Sequence, residues 1–131
     1  MKAFYDLHIH SALSPCAENE MTPNNIVNMA CLKGLDIIAV TDHNSALNCE
    51  AVIKCAKKHS IVAVPGMELE TREEIHLVCF FPGLEEVMKM HSIVNDALPD
   101  IENREDIFGQ QIIMDDDDNV VGNYKQMLLA A

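Results

Sequence analysis

The chain has 131 residues, 49% of them apolar, which suits one domain or part of one with a buried core and excludes an intrinsically disordered protein. Its formal net charge of −12 argues against nucleic-acid binding through a basic surface, because phosphate contacts depend on lysine and arginine. No apolar run is long enough to span a bilayer and the N-terminus lacks the pattern of a signal peptide, so we expect a cytoplasmic protein with no membrane partner.

The first half of the chain alternates between strand and helix patterns. The predicted elements are a strand over residues 3–9, a helix over 22–33, a strand over 35–40, a helix over 46–59 and a strand over 61–64. Thr22 and Pro23 suit the N-cap and the first position of a helix, and Gly34 suits the residue after its C-cap. The order βαβαβ implies a parallel sheet with right-handed crossovers, and therefore an α/β fold.

The second half is predicted to hold two short strands, over 67–71 and 75–81, and a helix over 84–103 that Pro99 interrupts. The acidic run at 115–118 lies between two further short elements, as a hairpin turn or a loop. Its spacing matches only the first three ligand positions of an EF-hand loop, so we interpret it as a solvated turn. No internal repeat or linker divides the chain, which predicts a single domain over 1–131.

Histidine and acidic residues follow the ends of the predicted strands. His8 and His10 are two residues apart, so on a strand their imidazoles lie on one face. The residues at the later strands are Asp42, His43, Glu68 and His76. Because ligands bind at the carboxyl ends of strands in parallel α/β folds, we expect these side chains to share one rim. Imidazole and carboxylate ligands suit Zn, Mn or Fe, and a two-metal site suits hydrolysis of phosphate esters.

Each of these residues also has an ordinary structural role open to it. The histidines are also compatible with polar or half-buried positions on strands. Glu68 is compatible with an exposed, charged position on a strand. Asp42 precedes a helical pattern and suits a helix cap. The metal-site interpretation depends on the joint pattern. His59, at a helix end, and His91, within a helical pattern, are not assigned to the site.

Four short motifs together resemble the successive motifs of the PHP (polymerase and histidinol phosphatase) family. They are DLHIHS at 6–11, TDHN at 41–44, PGMELET at 65–71 and HLVCFF at 76–81. The resemblance implies a distorted (β/α)7 barrel that hydrolyses phosphoesters with two or three divalent metal ions. The ligands it implies are His8 and His10 for the first metal, Glu68 as a bridge, His76 for the second metal and His43 for the third, with Asp42 as an orienting neighbour or weak ligand.

The sequence departs from the family pattern in two places. Where the family often has Asp or His as a third-metal ligand, this chain has Cys16, which we interpret as structural or weakly ligating. The later ligands of the family have no counterpart after His76, and the chain ends in an apolar stretch at 127–131. We therefore expect a partial barrel, truncated after about four to five strands and incomplete at the C-terminus. Its open strand edge would favour self-association.

These observations support a metal-dependent phosphoesterase acting on a phosphorylated small molecule or a nucleotide. A non-catalytic metal-binding or interaction fragment is the alternative, and the chain alone is expected to be weakly active or inactive. Amidohydrolase barrels also use an HxH motif, but TDHN and PGMELET argue against hydrolysis of carbon–nitrogen bonds. The five cysteines include no CxxC pair, which indicates reduced and mostly buried thiols.

Overall fold

The computed structural model describes residues 1–129, so Ala130 and Ala131 at the end of the apolar C-terminal stretch lie outside it. Its strands and helices are, in chain order, Tyr5–Ile9 (β1), Pro23–Leu32 (α1), Ile37–Val40 (β2), Cys49–Lys57 (α2), Val62–Ala63 (β3), Gly66–Glu70 (β4), His76–Phe80 (β5), Leu84–Ala97 (α3), Glu105–Phe108 (α4), Ile112–Met114 (β6) and Val120–Asn123 (β7). The predicted α/β class is confirmed by these elements.

A three-stranded parallel sheet in the order β1-β2-β3 forms the first half of the fold. The helix α1 begins where its sequence predicts, with Thr22 accepting a hydrogen bond from the backbone N–H of Asn25 and with Pro23 in the first turn. It ends before Gly34, whose φ of +68° places it in the left-handed region that glycine adopts without strain. Apolar residues of α1, α2 and the sheet, including Ile38 and Val52, form one buried cluster.

The strands β4 and β5 form an antiparallel hairpin that contacts the parallel sheet through a bridge between His43 and Glu68. A second buried cluster lies beneath this hairpin, where Leu13 and Met67 pack with Val87 of α3 and with Leu128 near the C-terminus. Within residues 1–129 the strands form three sheets rather than one continuous sheet. The predicted barrel therefore stays an expectation.

The C-terminal strands β6 and β7 form the predicted hairpin, but its acidic turn is not simply solvated. The Asp118 carboxylate accepts hydrogen bonds from the Thr22 hydroxyl at 2.6 Å and from the Asn24 backbone N–H at 2.9 Å. These contacts hold the turn against the first turn of α1. The interpretation as a solvated turn was wrong at this position, because a partner 94 residues away in the sequence leaves no local signal.

Two further expectations need correction. The helix α3 ends at Ala97 rather than near residue 103. The ring of Pro99 disfavours helical geometry at Leu98, so Ala97 is the last residue that can belong to the helix. All five cysteines are free, but only Cys49 and Cys55 are buried, whereas Cys31 lies on the exposed face of α1. No helix within the described residues combines the length and the apolar composition that crossing a bilayer requires.

Candidate metal centre

The centre of the site is the carboxylate of Glu68, whose side chain is only 6% exposed. Four imidazoles surround it. His8 Nε2 lies 2.9 Å from Oε1, and His10 Nε2 and His43 Nδ1 lie 3.2 and 3.0 Å from Oε2. His76 Nδ1 is farther away, at 3.8 Å from Oε2. The structure thus brings all five residues that the sequence suggested as metal ligands into one cluster.

These side chains come from two parts of the fold, the parallel sheet, as anticipated, and the hairpin of β4 and β5. His8 lies in β1, His10 directly follows it and His43 follows β2, so these three share the carboxyl end of the parallel sheet. Glu68 instead lies in the middle of β4, and His76 is the first residue of the antiparallel strand β5. Glu68 pairs with His43 in a parallel bridge, so it lies beside the carboxyl end of the parallel sheet as expected. The expectation of one parallel rim was wrong for His76, because a strand pattern does not reveal the direction in which β5 runs.

Two buried ring nitrogens in the cluster, His10 Nε2 and His43 Nδ1, have no hydrogen-bond partner within the described chain. Their short distances to Glu68 are therefore not hydrogen bonds along the ring N–H directions. Burial, followed by the electrostatic effect of the neighbouring His10, lowers the pKa of His43 to about 4, so the His43 imidazole is neutral at pH 7. The neutral His43 imidazole and the unpartnered ring nitrogen of His10, beside the buried carboxylate of Glu68, are a donor set that fits a divalent transition metal.

Cys16 lies at the edge of the same cluster, where its Sγ is 3.2 Å from Nδ1 of His10. Three overlapping groups have ligand atoms within 4.8 Å of one another, namely His8–His10–Glu68, His43–Glu68–His76 and His10–Cys16–His43. Burial raises the pKa of the Cys16 thiol, so at pH 7 without a bound cation the thiol is mostly protonated. The first two groups share Glu68, which places it between two potential metal positions.

Asp42 lies behind the cluster and is 2% exposed. Its carboxylate accepts hydrogen bonds from the backbone N–H of Ser11 at 2.7 Å, from the Ser11 hydroxyl at 2.6 Å and from the Ser14 hydroxyl at 2.7 Å. Burial raises the pKa of Asp42, and these hydrogen bonds act in the opposite direction. The structure thus shows Asp42 fixing the loop after His10 rather than capping α2.

Asn44 is a residue of the site that the sequence argument did not single out. Its φ of +49° is in the left-handed region, which asparagine tolerates better than most residues. Its backbone N–H donates to the Glu68 carbonyl at 3.0 Å, and its side-chain oxygen accepts from the Glu70 N–H at 2.9 Å. Asn44 therefore holds β4 against the loop that carries His43. The motif TDHN offered a signal, because an asparagine in a short loop after a strand favours such a turn.

Two other buried polar residues support the site from farther along the chain. The Asn48 side chain donates to Ser11 Oγ and to the Ile112 carbonyl, both at 3.0 Å, and so joins β6 to the loop after His10. His91 of α3 is 8% exposed, and its Nδ1 accepts a hydrogen bond from the Ala46 backbone N–H at 3.2 Å. Neither residue carries a sequence signal, because its role depends on partners that are distant along the chain.

Comparison with known proteins agrees with this geometry. The family model described as the PHP domain matches residues 6–131, which is nearly the whole chain. The chain belongs to the PHP domain family. This membership confirms the resemblance that the four motifs indicated.

The relatives of this PHP domain are longer than the chain. It is 31% identical over 77 residues to a 5'-3' exoribonuclease of Haemophilus influenzae, an alignment that covers 56% of the chain and 27% of the relative. Among solved structures it resembles a candidate metal-dependent phosphoesterase from Bifidobacterium adolescentis (TM-score 0.54, 22% identity, 71% of this chain and 33% of that one). It also resembles an amidohydrolase from Chromobacterium violaceum, solved with sulfate and without metal (TM-score 0.58, 23% identity, 72% of this chain and 34% of that one). At such low identity the two structures support the fold alone.

Proposed function

We propose that this PHP domain is a metal-dependent phosphoesterase whose metal ions bind at the cluster around Glu68. The observation that carries the proposal is the buried carboxylate with four imidazole nitrogens within 3.8 Å, two of them buried and without hydrogen-bond partners. A buried donor set of this kind is costly unless a cation or hydrogen bonds satisfy it. Membership of the PHP family supports the same function.

The proposed ligands have different parts in the site. Glu68 offers one oxygen to the His8 side and the other to the side of His43, so it would bridge two ions. His10 would join His8 at the first ion, and His76 would join Glu68 at the second. His43, together with Cys16, would hold a third ion if one binds. The residue types suit Zn, Mn or Fe, and Asp42 would act by orienting the loop after His10.

The metal ions would polarise the phosphate group and activate water for its hydrolysis. The protein itself contributes rigid positioning, because Asp42 and Asn44 fix the loops that carry the histidines. It supplies little positive charge of its own, since the net charge is −12, so attraction of an anionic phosphate would depend on the bound cations. Arg72, in the turn between β4 and β5, is the arginine nearest in sequence to the ligand motifs.

Two observations favour a second candidate, a non-catalytic metal-binding domain. His8 and His76 flank the cluster, and their side chains are 51% and 46% exposed. The chain also spans about a third of the solved structures that it resembles. A metal ion bound at a cluster that is open to solvent on one side would keep labile coordination positions there and would position a substrate poorly. We therefore expect slow turnover by the 131-residue chain.

The deciding experiment is hydrolysis of p-nitrophenyl phosphate and bis-p-nitrophenyl phosphate by the purified chain with added Mn²⁺. His10→Ala removes one proposed ligand, and His59→Ala is the matched control because His59 is exposed on the surface beyond α2. The proposal expects slow, metal-dependent release of nitrophenol that His10→Ala abolishes and His59→Ala preserves. Metal binding at the cluster without any turnover would instead favour the non-catalytic candidate. Turnover that persists in His10→Ala would contradict the assigned site.

A further inference from the structure

Cys16 brings a different kind of ligand atom to the metal centre than the carboxylate and imidazoles around Glu68. All five cysteines are free, but within residues 1–129 only Cys16 belongs to a group of side chains whose ligand atoms converge. Its partners are His10 and His43, and the three ligand atoms lie within 4.8 Å of one another. A thiolate is a soft ligand that favours zinc, whereas a carboxylate suits manganese. The two sides of the centre therefore suit different ions.

The imidazole ring of His10 lies between Cys16 and the Glu68 carboxylate. Its Nε2 is 3.2 Å from Oε2 of Glu68, and its Nδ1 is 3.2 Å from Sγ of Cys16. When Nε2 binds an ion at the Glu68 cluster, the ring carries its proton on Nδ1 and donates it in a hydrogen bond to the sulfur. The sulfur thus lies beside the nitrogen that the first ion does not use, and it is left to bind a different ion.

His43 supplies a second ligand on the Cys16 side of the centre. The residue is 6% exposed, and its Nδ1 has no hydrogen-bond partner within the described part of the chain. A buried polar atom of this kind is costly unless a cation or a hydrogen bond satisfies it. In a tetrahedral zinc site a sulfur and a nitrogen ligand lie about 3.5 Å apart. The 4.8 Å limit on the Cys16 group is wide enough that a small rotation of the exposed cysteine reaches this separation.

The loop that carries Cys16 is held on both sides before any ion binds. The Ser14 hydroxyl donates to the Asp42 carboxylate at 2.7 Å. On the other side, Gly109 approaches Pro15 so closely that a Cβ atom at residue 109 would lie 2.8 Å from the Pro15 carbonyl oxygen. The thiol is therefore exposed to solvent on a backbone that is already ordered, which lowers the entropic cost of binding an ion there.

We propose that Cys16 and His43 form a separate position for a thiophilic divalent ion, Zn²⁺ by its chemistry, while Mn²⁺ or Fe²⁺ suits the positions around Glu68. This inference rests on the proposed function, because it assigns a metal preference within the same centre. The Cys16 thiol would lose its proton to solvent as its sulfur binds the ion, and water would complete the coordination. The Nδ1–H group of His10 would donate to the bound sulfur. The centre would then hold two kinds of ion side by side.

The test uses Co²⁺ as a spectroscopic substitute for Zn²⁺, because a bond between Co²⁺ and a thiolate gives a charge-transfer absorption in the near ultraviolet. Co²⁺ is titrated into the full chain at pH 7.5 with a phosphine reductant present, followed by competition with Zn²⁺ or Mn²⁺. Cys16→Ser removes the thiolate and keeps a hydrogen-bond acceptor for His10. Cys31→Ser is the matched control, because Cys31 is exposed on α1 and belongs to none of the converging groups. Thermal melts with and without Mn²⁺ report the Glu68 cluster separately.

Wild type and Cys31→Ser should show the thiolate absorption, and Cys16→Ser should lack it. An equal concentration of Zn²⁺ should remove the absorption, whereas an excess of Mn²⁺ of about tenfold should leave it. Mn²⁺ should still stabilise Cys16→Ser, because Glu68 and the imidazoles around it are intact.

Three results would overturn the inference while Mn²⁺ stabilisation of wild type leaves the phosphoesterase proposal standing. They are no thiolate absorption in wild type, an absorption that persists in Cys16→Ser, and its loss to an equal concentration of Mn²⁺. If Mn²⁺ stabilises wild type but not Cys16→Ser, the thiol belongs to the Glu68 positions, and the separate position is refuted. If Mn²⁺ stabilises neither protein, the proposed function fails and the assignment of two kinds of ion fails with it.

Discussion

Asp42 and Ser11 hold together the two loops that carry the histidines. The Asp42 carboxylate receives both the backbone N–H of Ser11 at 2.7 Å and its hydroxyl at 2.6 Å. Ser11 directly follows His10, and Asp42 directly precedes His43. This one buried pair therefore fixes the relative position of imidazoles from two different strands before any metal binds.

Replacing Asp42 with asparagine should weaken both the fold and the site. Ser11 Oγ already accepts hydrogen bonds from the Leu13 N–H and from Asn48, so it cannot also receive an amide donor from residue 42. We expect Asp42→Asn to lower the free energy of unfolding by about 1–3 kcal/mol and the metal affinity by about 10–100-fold. Urea denaturation and calorimetric metal titration measure the two effects. Asp100→Asn, at an exposed position, should change neither, and an equal loss in both variants would contradict this role.

Gly66 permits the close approach of β4 to the strand end that carries Asp42. A Cβ atom at residue 66 would lie 2.7 Å from Cγ2 of Thr41 and 3.1 Å from the Cys79 carbonyl oxygen. We expect Gly66→Ala to lower the free energy of unfolding by about 1–3 kcal/mol through this crowding. Gly122→Ala is the control, because its nearest neighbour would be 4.0 Å away. Thermal or urea melts that show equal stability for the two variants would refute the packing argument.

His91 should make the protein less stable in acid. Burial lowers its pKa in the folded state below the usual value of about 6.5, so the unfolded chain binds the proton more readily. The stability that neutral His91 contributes is present above about pH 6.5 and is lost as the pH falls from there towards the folded-state pKa. Wild type should therefore lose more unfolding free energy between pH 7.5 and pH 5.5 than His91→Asn.

The measurement is a set of urea melts at both pH values in the presence of a chelator. Asparagine at residue 91 keeps an acceptor for the Ala46 N–H but does not titrate in this range. The exposed His59 supplies the control variant, His59→Asn, which should keep the pH dependence of wild type. An unchanged pH dependence in His91→Asn would show that this residue is not the source of the acid sensitivity.

Local patterns in the sequence predict most of the elements and the members of the cluster. The helix α1 is bounded by Thr22, Pro23 and Gly34, whose preferences act within a few residues. The antiparallel direction of β5 and the contact of Asp118 with Asn24 were not predictable, because both depend on tertiary pairing. The supporting role of Asn48 was missed for the same reason, since its partner Met114 lies 66 residues away.

Mn²⁺ binding to wild type and to Glu68→Gln tests whether the cluster is a metal site. Manganese prefers imidazole and carboxylate ligands over thiols, so the exposed cysteines interfere little. Glu68→Gln removes the charge at the centre of the cluster while keeping its shape, and Glu73→Gln makes the same change at an exposed position. The readout is the metal-induced change in thermal stability at pH 7.5 and at pH 5.5.

With free Mn²⁺ at about 100 times its dissociation constant, wild type and Glu73→Gln should gain about 2.7 kcal/mol at pH 7.5. The gain should fade at pH 5.5, because the ligating histidines must be neutral and free histidine titrates near pH 6.5. Glu68→Gln should gain far less at either pH. An equal gain in Glu68→Gln, or no gain in wild type at pH 7.5, would contradict the assignment of the Glu68 cluster as a metal site.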